Sequence, residues 1–560
     1  MNRRVLLIGL DGATWTFFKP LMDEGAFPHL QAITERGAWG SLASTNPPTT
    51  PPAWSTCVTG LNPGRHGIYD FRESPLKYPD RPLISSRSVQ GPKLWHHVNR
   101  AGRSAGVLNV PITYPPEPID AFMISGMMTP SQESDYAQPR DLKDRLQAAI
   151  GEYVVNVDIP RYDVEHEDDA NEFLDDIIHS FRKRRDAFFW LQSEYSPDFF
   201  MAVFIITDRI QHLFWKMMDP AFDDYHTDRG QRTRERIVAA YQEVDDMLGQ
   251  VVRGLDGNTD LVLVSDHGFG GTRAWLNVNR WLADEGLLTA MAGKALRWRL
   301  FNVAMHLDET SLVRTLMPTP WRRGIRKRIR QTRSSFKNDL EGVIDWDQTQ
   351  AFFASIPAQG IFINERRDGV RTSAGCVDPA DVPALQARLR DGLLALRDPW
   401  DGEPVVDRVW FREEVYHGPE TEFAPHVLLV ARNYGTLGRQ LLGTGQVVET
   451  SLNMANGFHR PDGILAALGP SFRAGQHIDD AAIIDVTPTI LYDMGLPVPS
   501  DLDGRVLTEA FRPGAIKEMD VRAEPVTTAE VAEATARDDG YSDAEAAEIE
   551  ERLRGLGYLE

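Results

Sequence analysis

Cysteine is almost missing from this chain: Cys57 and Cys376 are the only two among 560 residues. Two distant cysteines cannot build a disulfide framework, and neither has the paired spacing of a metal finger. Long apolar runs are missing too. No stretch approaches the roughly 18 residues that span a bilayer. The first apolar run follows Arg3 and Arg4 and stops at Asp11 after six residues. That reads as a first strand, not an export signal, so a cytoplasmic enzyme is the expectation. Positive charge is in deficit, with 60 Lys and Arg against 81 Asp and Glu and a net charge of −21. Such a surface excludes bulk nucleic acid as a partner and repels phosphates, unless metal ions or a local basic patch draw them in. No internal repeat, low-complexity run or glycine-rich phosphate loop occurs. Length alone allows about three to four domains, and 42% hydrophobic residues suffice for a large core.

What is present is a scatter of acids and histidines at telling places. Val5–Leu10, Met201–Ile206 and Leu261–Val264 are short, bulky and nearly continuous apolar runs. They read as strands of a parallel sheet covered on both faces. Each leads into an aspartate: Asp11, Asp208 and Asp266. In such sheets ligands sit beyond the carboxyl ends of the strands. One Asp there is often only a helix cap, but three, two of them with a His within four residues, point to a site. Asp208 and His212 are four apart, so a helix would put both on one face. Asp266-His267 sits in a turn loosened by Gly268, and His459 lies in Gly457-Phe-His-Arg460. Carboxylate with imidazole suits Zn²⁺, Mn²⁺ or Fe better than Mg²⁺ or Ca²⁺. Thr49-Thr-Pro-Pro-Ala-Trp-Ser-Thr-Cys-Val-Thr-Gly60 adds a hydroxyl-rich turn leading into a helix. Two metals and one hydroxyl nucleophile would use all of these groups.

These motifs resemble the alkaline phosphatase superfamily, in particular its type I phosphodiesterase/nucleotide pyrophosphatase branch, with its bacterial and archaeal phosphohydrolases and phosphomutases. The carrying segments are Ile8–Gly12, Thr50–Gly67, Thr207–His212, Val264–Gly268, Gly457–His459 and Ile484–Pro497, and the resemblance spans roughly residues 4 to 508. It implies an α/β fold, a three-layer sandwich around a mostly parallel sheet. It also implies roles. Thr50 matches the nucleophile. Asp11, Asp266 and His267 match the ligands of the metal that activates it. Asp208, His212 and His459 match those of a second metal. Thr49 is the rival nucleophile, one residue too far from Thr59-Gly60. The ions would be Zn²⁺, with Mn²⁺ as the alternative. Arg209 and Arg460, each beside a proposed ligand, read as phosphate holders or as salt-bridge partners of core acids.

The chain departs from the branch at Ala53, where an Asn usually holds a phosphoryl oxygen. A backbone N–H at the start of the helix after Pro52 could take over. The sulfatase pattern fits worse, because Trp54 stands where an Arg is expected and Thr50 cannot mature to a formylglycine. The reaction implied is hydrolysis of a small phosphodiester or nucleotide-like phosphoester through a phospho-threonine. The alternatives are a phosphomutase and a non-catalytic binding protein on the same fold.

Elsewhere the pattern predicts a helix opening at His96 and His97, a strand over Ser104–Val110, and a polar, irregular stretch over 135–165. Long helices are expected over Ala170–Glu194, with Phe173, Ile177, Phe181 and Phe188 inward, and over Arg234–Leu255. The core should resume near Thr349, with buried strands at Pro425–Val430 and Gly463–Gly469. His417 and His426 read as structural. Residues 1–512 form one catalytic domain, with a basic helical insertion at about 290–345. That insertion reads as a cap over the site, or as a patch for anionic lipid or a bulky anionic substrate. Residues 513–560 form an acidic tail whose Ser542-Asp-Ala-Glu545 is a capping box, and its helix either docks on the core or mediates self-association.

Overall fold

The computed structural model of the chain describes residues 3–157, 162–291, 343–367, 375–442, 446–450, 457–514 and 541–559. Residues 292–342 of the basic insertion, and with them the expectation of lipid contact, lie outside the described residues.

A nine-stranded sheet organises the molecule. Its order is Gln476–Ala482, Ala38–Ala43, Asp462–Leu468, Thr259–Val264, Arg4–Leu10, Phe199–Phe204, Ala105–Leu108, Ala121–Ile124 and Ala137–Gln138. Only Asp462–Leu468 and Ala137–Gln138 run against the others. Arg4–Leu10 lies between two parallel partners, with Val5 opposite both Phe199 and Asp260. Because side chains alternate along a strand, the continuous apolar runs feed two separate cores. Leu6, Ile8, Leu10, Phe200, Ala202 and Phe204 enter one, while Val5, Leu7, Phe199, Met201 and Val203 enter the other. Helices Glu167–Tyr195, Ile206–Met218 and Asp228–Gly254 cover the first face, and Thr50–Thr59, Leu94–Arg100 and Val486–Asp493 cover the second. This is the expected α/β sandwich around a mostly parallel sheet.

Several boundaries differ from the sequence reading. The strand expected over Met201–Ile206 ends at Phe204, and Ile206 already opens a helix. The strand expected over Ser104–Val110 is Ala105–Leu108, since Asn109 turns the chain with φ 59°. The polar stretch 135–165 holds an edge strand and the helix Leu142–Ile150, which buries Leu142 and Leu146 one turn apart. The two long helices form, the first as Glu167–Tyr195 with Phe173, Ile177, Phe181 and Phe188 buried, the second as Asp228–Gly254, starting six residues before Arg234 and ending one short of Leu255.

Near Thr349 the chain does not rejoin the central sheet. Ala351–Phe353, Gly360–Ile363, Val427–Ala431, Thr436–Arg439, Ala274–Asn277 and Val448–Thr450, with Val406–Phe411 alongside, make a second, mostly antiparallel sheet. It closes on its own core around Leu276, Ile361, Leu389 and Val427. Short hydrophobic strands of this kind carry no label saying which sheet they join. Among the described residues, no helix is long and apolar enough to cross a membrane.

Candidate functional site

The carboxyl ends of the three central strands converge on one buried point. Asp11 follows Arg4–Leu10 directly. Asp208 stands in the first turn of helix Ile206–Met218, and His212 sits one turn later, within 3.2 Å of Asp208 Oδ1. Asp266 and His267 form the turn between Thr259–Val264 and the short strand Gly268–Gly271. That strand pairs antiparallel with Gly457–Arg460, setting His459 opposite Phe269 and stacking its ring on His267 with centroids 3.5 Å apart. The pairing also needs Gly457, where a Cβ would lie 2.2 Å from the Gln211 carbonyl oxygen.

Thr50 opens helix Thr50–Thr59, and its hydroxyl is 3.3 Å from His267 Nε2. The rival Thr49 is the N-cap, and its buried hydroxyl has no hydrogen-bond partner among the described residues. The helix start is poorer in donors than expected. Pro51 and Pro52 have no N–H, and the Ala53 N–H donates to the Thr49 carbonyl at 3.0 Å. The N–H after Pro52 that was to replace the missing Asn is therefore already committed, leaving that of Thr50.

Two donor sets result. Around His267 Nε2 stand Thr50 Oγ1 at 3.3 Å, Asp266 Oδ2 at 3.3 Å and Asp11 Oδ1 at 3.8 Å. Around Asp208 Oδ1 stand His212 Nε2 at 3.2 Å and His459 Nε2 at 3.5 Å. Asp208 also lies close enough to group with Asp11 and His267. Asp11, Asp208, His212, Asp266, His267 and His459 are all 2% exposed or less.

The donor chemistry fits cations. Among the described residues, Asp11 Oδ1, Asp208 Oδ1 and Asp266 Oδ2 are buried carboxylate oxygens without a hydrogen-bond donor, a costly arrangement unless a positive charge balances it. Burial, reinforced by the Asp208 charge, drives the Asp11 carboxyl up to about 8. Burial and the charges of Asp11 and Asp208 push Asp266 well above the usual range. Burial would raise Asp208 as well, but His212, His459 and Arg209 hold it well below. Burial pushes His459 down to about 4 and, helped by the His459 charge, lowers His267 strongly. Neutral imidazoles are what metal coordination needs.

An outer layer fixes these groups. His267 Nδ1 faces the Gly268 carbonyl at 3.1 Å and His459 Nδ1 faces the Pro48 carbonyl at 3.0 Å, which leaves each Nε2 free to point inward. Arg209 holds the outer oxygen of Asp208 at 3.0 Å, as a salt-bridge partner. Arg460 donates to the carbonyl oxygens of Tyr434, His459 and Gly271 and so braces the strand carrying His459. His426 is buried, with Nδ1 accepting from the Ile363 N–H, and His417 pairs with Asp503.

Two residues at the site escape sequence reasoning. The Trp54 indole donates to Asp11 Oδ2 at 3.0 Å, although the sequence singled it out only as a departure from the sulfatase pattern. Tyr558, from the tail, places its hydroxyl 2.9 Å from His212 Nε2 and 3.0 Å from His459 Nε2. No signal in the sequence connects it to the site. The tail helix Asp543–Gly555 forms with the expected Ser542–Glu545 capping box, and it docks: Ile549, Leu553 and Leu556 join the core.

Comparison with solved structures finds murine ectonucleotide pyrophosphatase/phosphodiesterase 5 at 14% identity, covering 91% of this chain and 100% of the other, with a TM-score of 0.47. Phosphonoacetate hydrolase from Sinorhizobium meliloti 1021 is 15% identical, with coverage of 87% and 95% and a TM-score of 0.48. No curated protein sequence matches the chain. The family model for type I phosphodiesterase/nucleotide pyrophosphatase matches residues 5–328, more than half of the sequence, and the chain belongs to that family.

Proposed function

We propose that the chain is a metal-dependent phosphohydrolase that cleaves a small phosphodiester or nucleotide-like phosphoester through Thr50. The observation that carries this reading is the hydroxyl of Thr50 beside two sets of buried carboxylate and imidazole groups, with three carboxylate oxygens that have no hydrogen-bond donor among the described residues. Asp11, Asp266 and His267 would hold one ion, and Asp208, His212 and His459 the other. The donor types favour Zn²⁺, with Mn²⁺ as the alternative. Bound there, divalent ions supply charge that lowers the pKa of a nearby hydroxyl and offsets that of the phosphoryl group.

The chain's own groups do the rest. Thr50 Oγ1 stands at the N-terminus of a ten-residue helix, whose dipole favours negative charge at that point. Thr50 Oγ1 forms a bond to phosphorus as the bond to the leaving oxygen breaks, and the threonine proton ends on the leaving group. Water then attacks phosphorus, the bond to Thr50 breaks, and Thr50 recovers a proton. Arg209 keeps Asp208 ionised and fixed rather than gripping the phosphate itself. A hydrolase is preferred to a phosphomutase because the family whose model matches the chain is one of phosphodiesterases and nucleotide pyrophosphatases.

The test is hydrolysis of bis-p-nitrophenyl phosphate against p-nitrophenyl phosphate, using metal-stripped chain reloaded with Zn²⁺ or Mn²⁺. Diester turnover lost in Thr50→Ala supports the reading. Monoester turnover alone would move the chain toward the phosphatase or mutase branch, and metal-independent turnover would refute it.

A further inference from the structure

The C-terminal segment does more than dock. Gly557, at φ 79°, turns the chain sharply after helix Asp543–Gly555, and Tyr558 then enters the site with no exposed surface. Its phenol oxygen stands 2.9 Å from His212 Nε2 and 3.0 Å from His459 Nε2, and those two nitrogens are 3.0 Å apart. Asp208 Oδ1 completes the group at 3.2 and 3.5 Å from the same nitrogens. Donors about 2.0–2.2 Å from a tetrahedral ion stand roughly 3.3–3.6 Å from one another. Tyr558 Oη and Asp208 Oδ1 thus each stand 2.9–3.5 Å from the same pair of imidazole nitrogens, close to the separations that ligands of one ion keep.

We propose that Tyr558 is the fourth protein ligand of the Asp208–His212–His459 cluster, and that the segment Tyr541–Leu559 is therefore a built-in stopper that substrate must displace. The inference rests on the metal reading above and adds the regulation of that same site. A catalytic ion ordinarily has three protein ligands and keeps its fourth position for water or substrate, whereas four protein ligands close it. Here the fourth position belongs to a residue near the end of the chain.

The way the segment is held agrees with a stopper. Ile549, Leu553 and Leu556 are each 2% exposed, and the Tyr558 ring lies 4.8 Å from that of Phe71. Glu550 pairs with Arg72, Arg552 donates to the carbonyls of Thr129 and Pro130, and Tyr541 stacks on Tyr114. With the segment in place Thr50 is only 1% exposed.

The experiment uses the full-length chain, Tyr558→Phe, which removes only the oxygen, and Leu553→Glu, which undocks the helix. Each is stripped of metal and titrated with Co²⁺, following the visible absorption that reports coordination number. Turnover of bis-p-nitrophenyl phosphate is then measured at saturating metal. Affinity for one of the two ions should fall about tenfold or more in both variants, with a changed spectrum, while turnover rises. Identical spectra and affinities in Tyr558→Phe and the unaltered chain would overturn the ligand assignment. Unchanged or reduced turnover in both variants would overturn the stopper. Failure of the hydrolase reading looks different: no turnover in any of the three, whatever the spectra show.

Discussion

The indole N–H of Trp54 donates to Asp11 Oδ2 at 3.0 Å, and among the described residues it is the one side-chain hydrogen-bond donor to that carboxylate. It leaves Asp11 Oδ1 directed to the His267 side of the site, 3.8 Å from Nε2. Trp54→Phe keeps most of the buried volume and deletes the bond. Outer-layer partners of this kind set ligand orientation, and their loss typically costs about 10–100-fold in metal affinity. Zn²⁺ binding, measured by competition with a chelating dye, should weaken by that order in Trp54→Phe, with turnover recovering as metal is raised. Unchanged affinity would show that the indole is only packing.

The same indole limits the strand beneath it. A Cβ at Gly9 would lie 2.4 Å from Trp54 and 2.9 Å from Val203, so Gly9→Ala must displace one of them. Overpacking a core typically costs about 1–3 kcal/mol. Urea denaturation should show a loss in that range with an unchanged slope, together with weakened metal binding because Trp54 moves off Asp11.

Metal binding should depend on pH in a defined direction. Burial, aided by Asp208, raises the Asp11 carboxyl to about 8 in the metal-free chain, so at pH 7 it carries a proton that a cation must displace. A carboxyl raised on folding stabilises the metal-free fold below its unfolded value near 3.8, and that contribution is lost as pH rises through about 8. Zn²⁺ affinity should therefore climb between pH 6 and 8 and level off above, with the ion raising the melting temperature more at pH 8 than at pH 6. Calorimetry in buffers of different ionisation enthalpy should show proton release on binding at pH 7. A flat pH profile would mean Asp11 is already ionised.

Much of this was legible in the sequence wherever one residue's type and its neighbours settle the matter. Continuous apolar runs such as Val5–Leu10 are buried on both faces of a sheet, and they read as such. Asp208 and His212 are four apart, and the helix puts them 3.2 Å from one another. His459 was reachable only through the family motif, since its place depends on strand Gly457–Arg460 pairing with Gly268–Gly271. Trp54 and Tyr558 were not legible at all. An apolar residue on a helix that buries all ten of its side chains looks like core, and a tyrosine near the chain end acquires meaning only once its helix docks. The second sheet was missed for a related reason: strands as short as Ala351–Phe353 have no period to read.

The most direct test of the central claim, that Thr50 carries the phosphoryl group between leaving group and water, is mass spectrometry of peptides from rapidly acid-quenched turnover. With Zn²⁺-loaded chain and bis-p-nitrophenyl phosphate, the peptide containing Thr50 should carry a phosphoester adduct on that residue, and Thr50→Ala should carry none and turn over nothing. Turnover that persists in Thr50→Ala, with no adduct on the unaltered chain, would contradict it.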